Sequence, residues 1–218
     1  MAKTAIILGA SGATGNEVLK LLLEDSRYNS IKLFSRSSID NPHPKIKEFT
    51  VDLFDLEKHQ ANFIADEVYC CIGTTKAKTP DLETYHKIDY GIPLAAAKLA
   101  KQNNIPVFAV ISAIRADPKS SIFYSRTKGE MQEAIMSLKI PTTYILQPSL
   151  IIAERPDGRL GEKISAAIMK LFNPLFIGSM EKYRSIKAVT IAKAMVWLCN
   201  NHYPEVIVKS DELAKLGK

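Results

Sequence analysis

Residues 4–15 read TAIILGASGATG, and this stretch decides the fold. The apolar run Thr4–Leu8 predicts a strand buried on both faces, as strands of parallel sheets are. Glycines follow at Gly9, Gly12 and Gly15, and a helical pattern begins among them. Glycine lets the backbone approach a phosphate without an intervening Cβ, and a helix N-terminus offers unpaired N–H groups to an anion. The loop therefore predicts a dinucleotide-binding site.

The rest of the chain alternates short apolar runs with helical stretches, which is typical of a parallel sheet covered by helices. Further strands are expected at Ile31–Phe34, Lys47–Val51, Glu67–Ile72, Pro106–Ser112, Thr142–Leu146 and, at an edge, Val206–Val208. Helices are expected at residues 13–24, 81–103, 121–138 and 164–172 and after Thr190, with a loop at Arg155–Gly161. Pro93 should kink or break the second helix because proline lacks an N–H group. The pattern predicts one α/β domain over residues 1–218, a doubly wound parallel sheet (Rossmann fold) in three αβα layers.

Composition narrows the class of protein. A length of 218 residues suits one domain, and no stretch approaches the ~20 apolar residues that a membrane-spanning helix needs. The start of the chain lacks the apolar core of a signal peptide, so a cytoplasmic protein is expected. The net charge of +6 suits an anionic ligand, but the basic residues are spread out, which disfavours nucleic acid as a partner. Cys70, Cys71 and Cys199 have no metal-ligand spacing, so buried thiols and no metal are expected.

The end of the second predicted strand indicates which dinucleotide binds. It reads FSRSS over residues 34–38, with no carboxylate before Asp40. An acidic residue here would bind the ribose 2′-hydroxyl of NAD, whereas Arg36, 21 positions after Gly15, suits a 2′-phosphate. The sequence therefore favours NADP(H) over NAD(H). The alternative is that Arg36 is a solvated loop residue.

Tyr124 and Lys128 are four residues apart in a predicted helix, so they lie on one face of it. Ser112 ends the preceding predicted strand, at the sheet edge where ligands of this fold bind. A nearby ammonium lowers the pKa of a tyrosine, and a serine hydroxyl can hold a carbonyl oxygen. The three side chains therefore predict proton transfer coupled to hydride transfer. The alternative is a surface lysine and a tyrosine used for packing.

Five segments carry a resemblance to a known family. They are LGASGATG at Leu8–Gly15, CCIGTTKAK at Cys70–Lys78, Asp89-Tyr90, YSRTKGE at Tyr124–Glu130 and LGK at Leu216–Lys218. On these segments nearly the whole chain resembles the atypical short-chain dehydrogenase/reductase superfamily. Within it, the chain is similar to the small Tat-interacting-protein oxidoreductases and their bacterial relatives. The CxGTT segment is much more specific than the glycines.

The resemblance implies roles residue by residue. Ser112, Tyr124 and Lys128 would form the catalytic set. The cofactor would contact Gly9, Ala10, Ser11, Gly12, Ala13, Thr14 and Gly15 at the pyrophosphate, Arg36 and Ser37 at the adenosine phosphate, Asp52 and Leu53 at the adenine, Cys71, Ile72, Gly73 and Thr74 on the ribose side, Pro148 and Ser149 at the nicotinamide, and also Lys128. Two departures matter. Asp89 stands where many extended reductases carry asparagine, which puts the usual proton-relay water in doubt, and Gln147 stands where the mammalian relatives have arginine.

The leading functional hypothesis is an NADPH-dependent oxidoreductase that reduces a small carbonyl substrate, with Tyr124 as the general acid. The alternative is a regulatory protein that binds NADPH and a protein partner with little or no turnover. A nucleotide-sugar epimerase is disfavoured because only 70 residues follow Pro148. The substrate side is expected from residues 73–80, 113–120 and 151–185, in a monomer or a homodimer.

Overall fold

A parallel sheet of seven strands organises the computed structural model, which describes residues 2–152 and 184–218. The described strands, two of which lie outside this sheet, are β1 (Lys3–Leu8), β2 (Tyr28–Ser35), β3 (Ile46–Thr50), β4 (Glu67–Cys70), β5 (Val107–Ile111), β6 (Thr142–Gln147), β7 (Ile151–Ile152), β8 (Ile186–Lys187) and β9 (Ile207–Lys209). β7 and β8 form a separate pair, and the main sheet has the order β3-β2-β1-β4-β5-β6-β9 with all neighbours parallel. The strand order reverses between β1 and β4, the switch point where ligands of doubly wound sheets bind.

Helices cover both faces of the sheet. They are α1 (Ala13–Glu24), α2 (Leu82–His86), α3 (Ile92–Gln102), α4 (Phe123–Ser137), α5 (Ala188–Asn200) and α6 (Ser210–Leu216). α1 and α5 bury Val18 and Met195 in a core on one face, while α3 and α4 bury Leu99 and Ile135 in a core on the other. The prediction of a three-layer αβα arrangement is confirmed.

Successive residues of β1 show why two cores form. Ile7 belongs to the core under α1 and α5, whereas Ile6 and Leu8 belong to the core under α3 and α4. All three side chains have no exposed surface. Because side chains along a strand alternate between faces, a strand covered on both sides has to be apolar at every position.

The predicted strands are confirmed in type and place, with small differences at their ends. β2 begins at Tyr28, three residues before the predicted start, because the polar Asn29 and Ser30 obscure the apolar pattern. The register between β1 and β2 shifts between Lys3 and Thr4, where β2 gains an extra residue. β9 pairs with β6 at the edge of the sheet, as the sequence predicts.

The predicted break of the long helix near Pro93 is confirmed, and it takes the form of a π-helical turn. This turn, Lys87–Gly91, joins α2 to α3 without leaving helical backbone geometry. At its end the Ile92 N–H donates to the carbonyl of Lys87, five residues back. The wider turn accommodates the following proline, which has no N–H and would crowd the carbonyl four residues before it.

Three elements were missed by the sequence patterns. One is a 3₁₀ segment, Leu53–Asn62, and the others are the β7–β8 pair and α6. Two and seven residues are too short to give β7 or α6 a readable period. The predicted helix at 164–172 and the loop at Arg155–Gly161 lie outside the described residues. No helix within the ranges 2–152 and 184–218 is both long and apolar enough to span a bilayer.

Candidate functional site

The glycine loop connects the end of β1 to α1 in a conformation that requires glycine. Gly9 has φ +83°, a region that side chains disfavour, and the Gly12 N–H donates to its carbonyl at 2.9 Å. A Cβ on Gly15 would lie 2.1 Å from the same carbonyl oxygen. A Cβ on Gly12 would meet one neighbour only, at 3.1 Å. Backbone geometry therefore explains Gly9 and Gly15, but it explains Gly12 far less.

The first turn of α1 is available to an anion. Gly12 is the N-cap residue, and no side chain makes a capping hydrogen bond there. Among the flanking hydroxyl residues, Ser11 is exposed and Thr14 is buried. Uncapped N–H groups and the positive end of the helix dipole favour a phosphate at this position. Together with the glycines, they fit a dinucleotide pyrophosphate.

The segment after β4 lies directly against the glycine loop. The Cys71 N–H donates to the carbonyl of Leu8 at 2.9 Å, and a Cβ on Gly9 would come within 2.8 Å of the Cys71 carbonyl oxygen. Of the other predicted ribose-side residues, Gly73 is exposed, and Ile72 and Thr74 are partly buried. Burial raises the pKa of the Cys71 thiol, whose Sγ lies 3.9 Å from Met195 Sδ. The raised pKa keeps Cys71 in its protonated form, which is the less nucleophilic one.

The predicted adenosine contacts follow β2 and β3. Arg36 and Ser37 are both exposed, and in the described parts of the chain no carboxylate forms an ion pair with Arg36. Asp52 accepts a hydrogen bond from the Phe54 N–H at 2.9 Å and caps the 3₁₀ segment, while Leu53 is buried. Among residues 2–152 and 184–218, the Arg36 guanidinium thus has no acidic side chain as an ion-pair partner.

Ser112 lies at the carboxyl end of β5 and is hydrogen-bonded to a chain of two side-chain amides. Its Oγ accepts a hydrogen bond from Gln132 Nε2 at 2.5 Å, and Gln132 Oε1 accepts one from Gln147 Nε2 at 3.1 Å. Ser112 and Gln132 are each 4% exposed. Since Gln132 donates to the serine oxygen, the serine proton remains available to another acceptor.

Lys128 forms a buried ion pair that the sequence patterns did not predict. Its Nζ lies 2.8 Å from Asp89 Oδ1, and the two side chains are 4% and 1% exposed. Asp89 Oδ2 accepts the Thr74 N–H at 2.8 Å, so one carboxylate links α4 to the segment after β4. Lys128 Nζ also lies 3.5 Å from the carbonyl of Ile111, beside Ser112. Asp89, which replaces the asparagine associated with the proton-relay water, therefore contacts the lysine directly.

Tyr124 lies one turn before Lys128 on α4 and is 41% exposed. Partial burial, together with the negative charge of Asp89, raises the pKa of Tyr124 to about 12. The prediction that Lys128 lowers this pKa is wrong, because Asp89 compensates the ammonium at 2.8 Å. Tyr124 is therefore protonated at neutral pH.

A cavity of about 420 Å³ opens beside Tyr124. Its lining residues come from the segment after β4, from α2 and from the start of α4: Thr74, Thr75, Lys76, Leu82, Tyr85, Ile122, Phe123 and Tyr124. The predicted substrate segments contribute residues 74–76 to this lining, whereas α2 and Ile122 were not expected there. The part of the predicted substrate side at 153–183 lies outside the described residues.

The last predicted cofactor residues, Pro148 and Ser149, follow β6 and are buried. The Pro148 carbonyl accepts the Ile114 N–H at 3.0 Å. The Ser149 hydroxyl donates to the carbonyl of Arg184 and lies 3.1 Å from the Ser210 hydroxyl. Ser149 thus ties the β6 end to α6 through its side chain.

Gln132 and Asp89 are the site residues whose contacts the sequence reading missed. Gln132 stands four residues after Lys128, so helical spacing places it on the same face of α4. Asp89 is an acid inside an apolar helical stretch, and such residues are buried only when paired. Across the described ranges, no group of three or more potential ligand side chains could hold a metal ion.

Two curated relatives show what the chain is similar to, although no family model matches it. Protein FMP52 of Candida albicans, named as mitochondrial, is 32% identical over 171 residues, covering 76% of this chain and 75% of the relative. Protein HTATIP2 of Rattus norvegicus is 28% identical over 198 residues, covering 89% of this chain and 80% of the relative. The similarity to HTATIP2 confirms the predicted resemblance to Tat-interacting proteins.

Solved structures share the fold. UDP-glucose 4-epimerase from Thermotoga maritima, solved with UDP-glucose, superposes with a TM-score of 0.70 at 13% identity over 98% of this chain and 81% of the epimerase. UDP-glucuronic acid 4-epimerase from Bacillus cereus, in complex with NAD, gives a TM-score of 0.65 at 15% identity over 96% and 78%. At these identities the comparison establishes the fold alone.

The relatives correct the prediction of a cytoplasmic protein. FMP52 proteins of several fungi are named as mitochondrial, which contradicts that prediction. The reasoning was wrong because a lack of apolar runs argues only against a membrane-spanning segment. It does not indicate in which compartment the protein resides.

Proposed function

Because this chain belongs to the FMP52 family, an atypical short-chain dehydrogenase/reductase group with HTATIP2 among its relatives, we propose that it is an NADPH-dependent oxidoreductase of small carbonyl compounds. The observation that carries the proposal is the placement of Ser112, Tyr124 and Lys128 around the same sheet edge as the glycine loop. Nucleotide and substrate sites of doubly wound sheets share this edge.

Preference for the phosphorylated cofactor rests on Arg36. In the described structure this exposed guanidinium follows β2 with no acidic side chain paired to it. A carboxylate at this position would repel a 2′-phosphate, whereas a guanidinium makes charge-assisted hydrogen bonds to it. Ser37, also exposed, adds a hydroxyl donor. These features favour NADPH over NADH.

The residues of the chain supply the proton and hold the carbonyl group. NADPH, when bound, supplies the hydride. The Ser112 hydroxyl, whose oxygen already accepts from Gln132, donates to the substrate carbonyl oxygen and polarises it. Tyr124 is protonated at neutral pH and donates its proton to the oxygen as negative charge develops there. Lys128, held by Asp89, keeps the first turns of α4 fixed against β5.

A regulatory protein that binds NADPH without turnover is the second candidate. The buried Asp89–Lys128 pair favours it, because a compensated lysine does not lower the pKa of Tyr124 and so does not make Tyr124 a stronger proton donor. Cofactor binding alone would then order the site. Only turnover separates this candidate from the reductase.

The binding experiment compares NADPH and NADH by calorimetry on the purified chain. We expect Arg36→Ala to weaken NADPH binding about tenfold and to leave NADH binding unchanged, since one charge-assisted contact is lost. Arg27→Ala, just before the opposite end of β2, is the matched control. Equal affinity for both cofactors in the unaltered chain would contradict the NADPH preference.

The turnover experiment follows NADPH consumption with aldehydes and ketones. We expect Tyr124→Phe to lose most of the rate while NADPH affinity is kept, because the phenyl ring keeps its packing but has no proton to donate. Tight NADPH binding without any turnover dependent on Tyr124 would favour the regulatory candidate.

A further inference from the structure

The cavity beside Tyr124 has walls that are unusual for a polar substrate. Its lining surface is mostly apolar, and Leu82 from α2 and Ile122 and Phe123 from the start of α4 contribute to it. Phe123 and Tyr85 meet edge to face, with ring centroids 5.6 Å apart and planes at 73°. This aromatic contact fixes the inner wall of the cavity.

The rim of the cavity exposes apolar side chains to solvent. Ile122 is 63% exposed and Leu82 is 48% exposed, and both side chains line the cavity. Large aliphatic side chains held in water beside a cavity gain most when an apolar ligand covers them. The volume of about 420 Å³ lies within the range of about 300–1,000 Å³ that small organic ligands occupy.

Thr74 and Tyr85, two of the polar residues that line the cavity, are already hydrogen-bonded within the protein. The Thr74 hydroxyl lies 2.9 Å from the Thr79 hydroxyl, and the Thr74 carbonyl accepts from Tyr85 Oη at 3.3 Å. These groups are engaged with each other, so they offer little to the hydroxyl groups of a sugar. Lys76, which also lines the cavity, is exposed to solvent. A polyhydroxylated or nucleotide-linked substrate would lose its hydrogen bonds to water without replacement here.

We propose that the substrate is an uncharged hydrophobic aldehyde or ketone, whose apolar portion lies between α2 and the start of α4 and whose carbonyl group reaches Tyr124. This inference rests on the proposed reductase function and narrows its substrate. In the reaction the carbonyl carbon gains a hydride from NADPH and the oxygen gains a proton from Tyr124. NADP⁺ and the corresponding alcohol are the products, and solvent returns the proton to the tyrosine.

The test compares nonanal with glyceraldehyde as substrates of the full chain, and measures binding of 1-nonanol in the presence of NADP⁺. We expect kcat/KM to be at least tenfold higher for nonanal, and 1-nonanol to bind. Ile122→Asn and Leu82→Gln should each raise the KM for nonanal about tenfold without changing NADPH affinity. Both positions are exposed, and asparagine is a favoured residue at the N-cap that Ile122 occupies, so folding is preserved.

Ile64→Asn is the matched control, because Ile64 is 56% exposed but precedes the opposite end of β4. It should change neither nonanal turnover nor nonanol binding. Turnover of glyceraldehyde at least as efficient as that of nonanal would overturn the substrate inference and leave the reductase standing. Binding of nonanol that the rim variants weaken, without turnover of any carbonyl, would keep the hydrophobic site and overturn the reductase. Absence of nonanol binding would overturn the hydrophobic site and point to a protein partner at the exposed rim.

Discussion

At the scale of single residues, the charge of Asp89 dominates the electrostatics of the site. Its carboxylate holds Lys128 on one oxygen and the Thr74 N–H on the other, in a position that is almost completely buried. An isolated charge there would be strongly disfavoured, so each partner makes the other tolerable. In the sequence, Asp89 stands out because many extended reductases carry asparagine at this position. Its pairing with Lys128 could not be predicted, because it depends on which helices pack against each other.

Removing one partner of this pair should destabilise the protein. We expect Asp89→Asn and Lys128→Met each to lower the free energy of unfolding by about 3–5 kcal/mol, since each leaves an uncompensated buried charge or donor. The double variant should cost less than the sum of the two. Urea unfolding followed by circular dichroism measures all three, and strict additivity would show that the two side chains do not interact.

The pH dependence of the reaction follows from Tyr124. Partial burial and the charge of Asp89 raise its pKa to about 12, so the proton donor persists through the alkaline range. Carbonyl reduction should therefore keep its rate between pH 7 and 10, whereas alcohol oxidation, which needs the phenolate, should rise with pH. In Asp89→Asn one cause of the raised pKa is lost, and the alkaline limb of reduction should move toward neutral pH. Steady-state kcat/KM profiles in both directions measure this, and identical profiles would contradict it.

Substitutions at Gly12 and Gly15 should distinguish an effect on cofactor approach from an effect on backbone geometry. A Cβ on Gly12 meets one oxygen at 3.1 Å, whereas a Cβ on Gly15 would clash at 2.1 Å. We expect Gly12→Ala to keep nearly normal stability but to weaken NADPH binding at least tenfold, because its methyl group occupies the approach to the pyrophosphate. Gly15→Ala should lower the melting temperature itself. Calorimetry and thermal unfolding distinguish the two, and unchanged NADPH affinity in Gly12→Ala would contradict the assigned phosphate site.

At the scale of elements, the amide chain through Gln132 joins α4 to the ends of β5 and β6. Gln132 contacts Ser112 on one side and Gln147 on the other. The residue therefore acts through Ser112 as a positioning residue. Its role depends on two neighbouring strands and on the helix that connects them.

Gln132→Leu should leave the buried Ser112 and the partly buried Gln147 without their partner. We expect a loss of about 1–3 kcal/mol in the free energy of unfolding and a fall in kcat of about tenfold or more, with the KM for NADPH unchanged. Gln132→Glu, which keeps the length and one acceptor but changes the donor, should not restore kcat. A fall in stability with normal kcat would assign Gln132 a purely structural role.

Element prediction succeeded where the period was long enough to read. The buried run of β1 and the helical face of α1 stand out because packing on the sheet imposes their pattern. The 3₁₀ segment after Asp52 escaped because its helical backbone is interrupted at Asp55 and His59, which scrambles the spacing. The cavity walls escaped for a different reason: α2 and the start of α4 come together only through the tertiary fold.

At the scale of the whole molecule, the two ends of the sheet carry different tasks. The carboxyl end holds the glycine loop and the candidate site. At the amino end, the buried Glu67 accepts hydrogen bonds from Tyr28 and Tyr69 at 2.6 Å each and from Lys3 at 2.5 Å. Asn200 of α5 donates to the Tyr28 hydroxyl at 2.5 Å. This network ties three strands and a helix together at a distance from the cofactor.

Glu67→Gln should therefore affect stability without affecting binding. We expect a loss of about 2–3 kcal/mol in the free energy of unfolding and an unchanged dissociation constant for NADPH. Burial is the largest cause of the raised pKa of Tyr28, and the hydrogen bond to Glu67 is the next. Burial also raises the pKa of Tyr69. Above pH 10 the unfolded chain loses these protons while the folded chain keeps them, so stability should fall as the pH rises. Unfolding at pH 8 to 11 tests this, and a slope that does not change in Tyr28→Phe would contradict it.

The number of residues in the π-helical turn before Pro93 determines which side chain faces Lys128. Successive residues of an α-helix are rotated by about 100°, so one residue more or fewer in Lys87–Gly91 would turn the residues before it relative to α3. Asp89 would then leave Lys128, and a neighbouring apolar or aromatic side chain would face the ammonium. A single-codon insertion or deletion could thus change the acid–base behaviour of the site without touching any residue that contacts a ligand. In this scaffold, chemistry can diversify through register as well as through substitution.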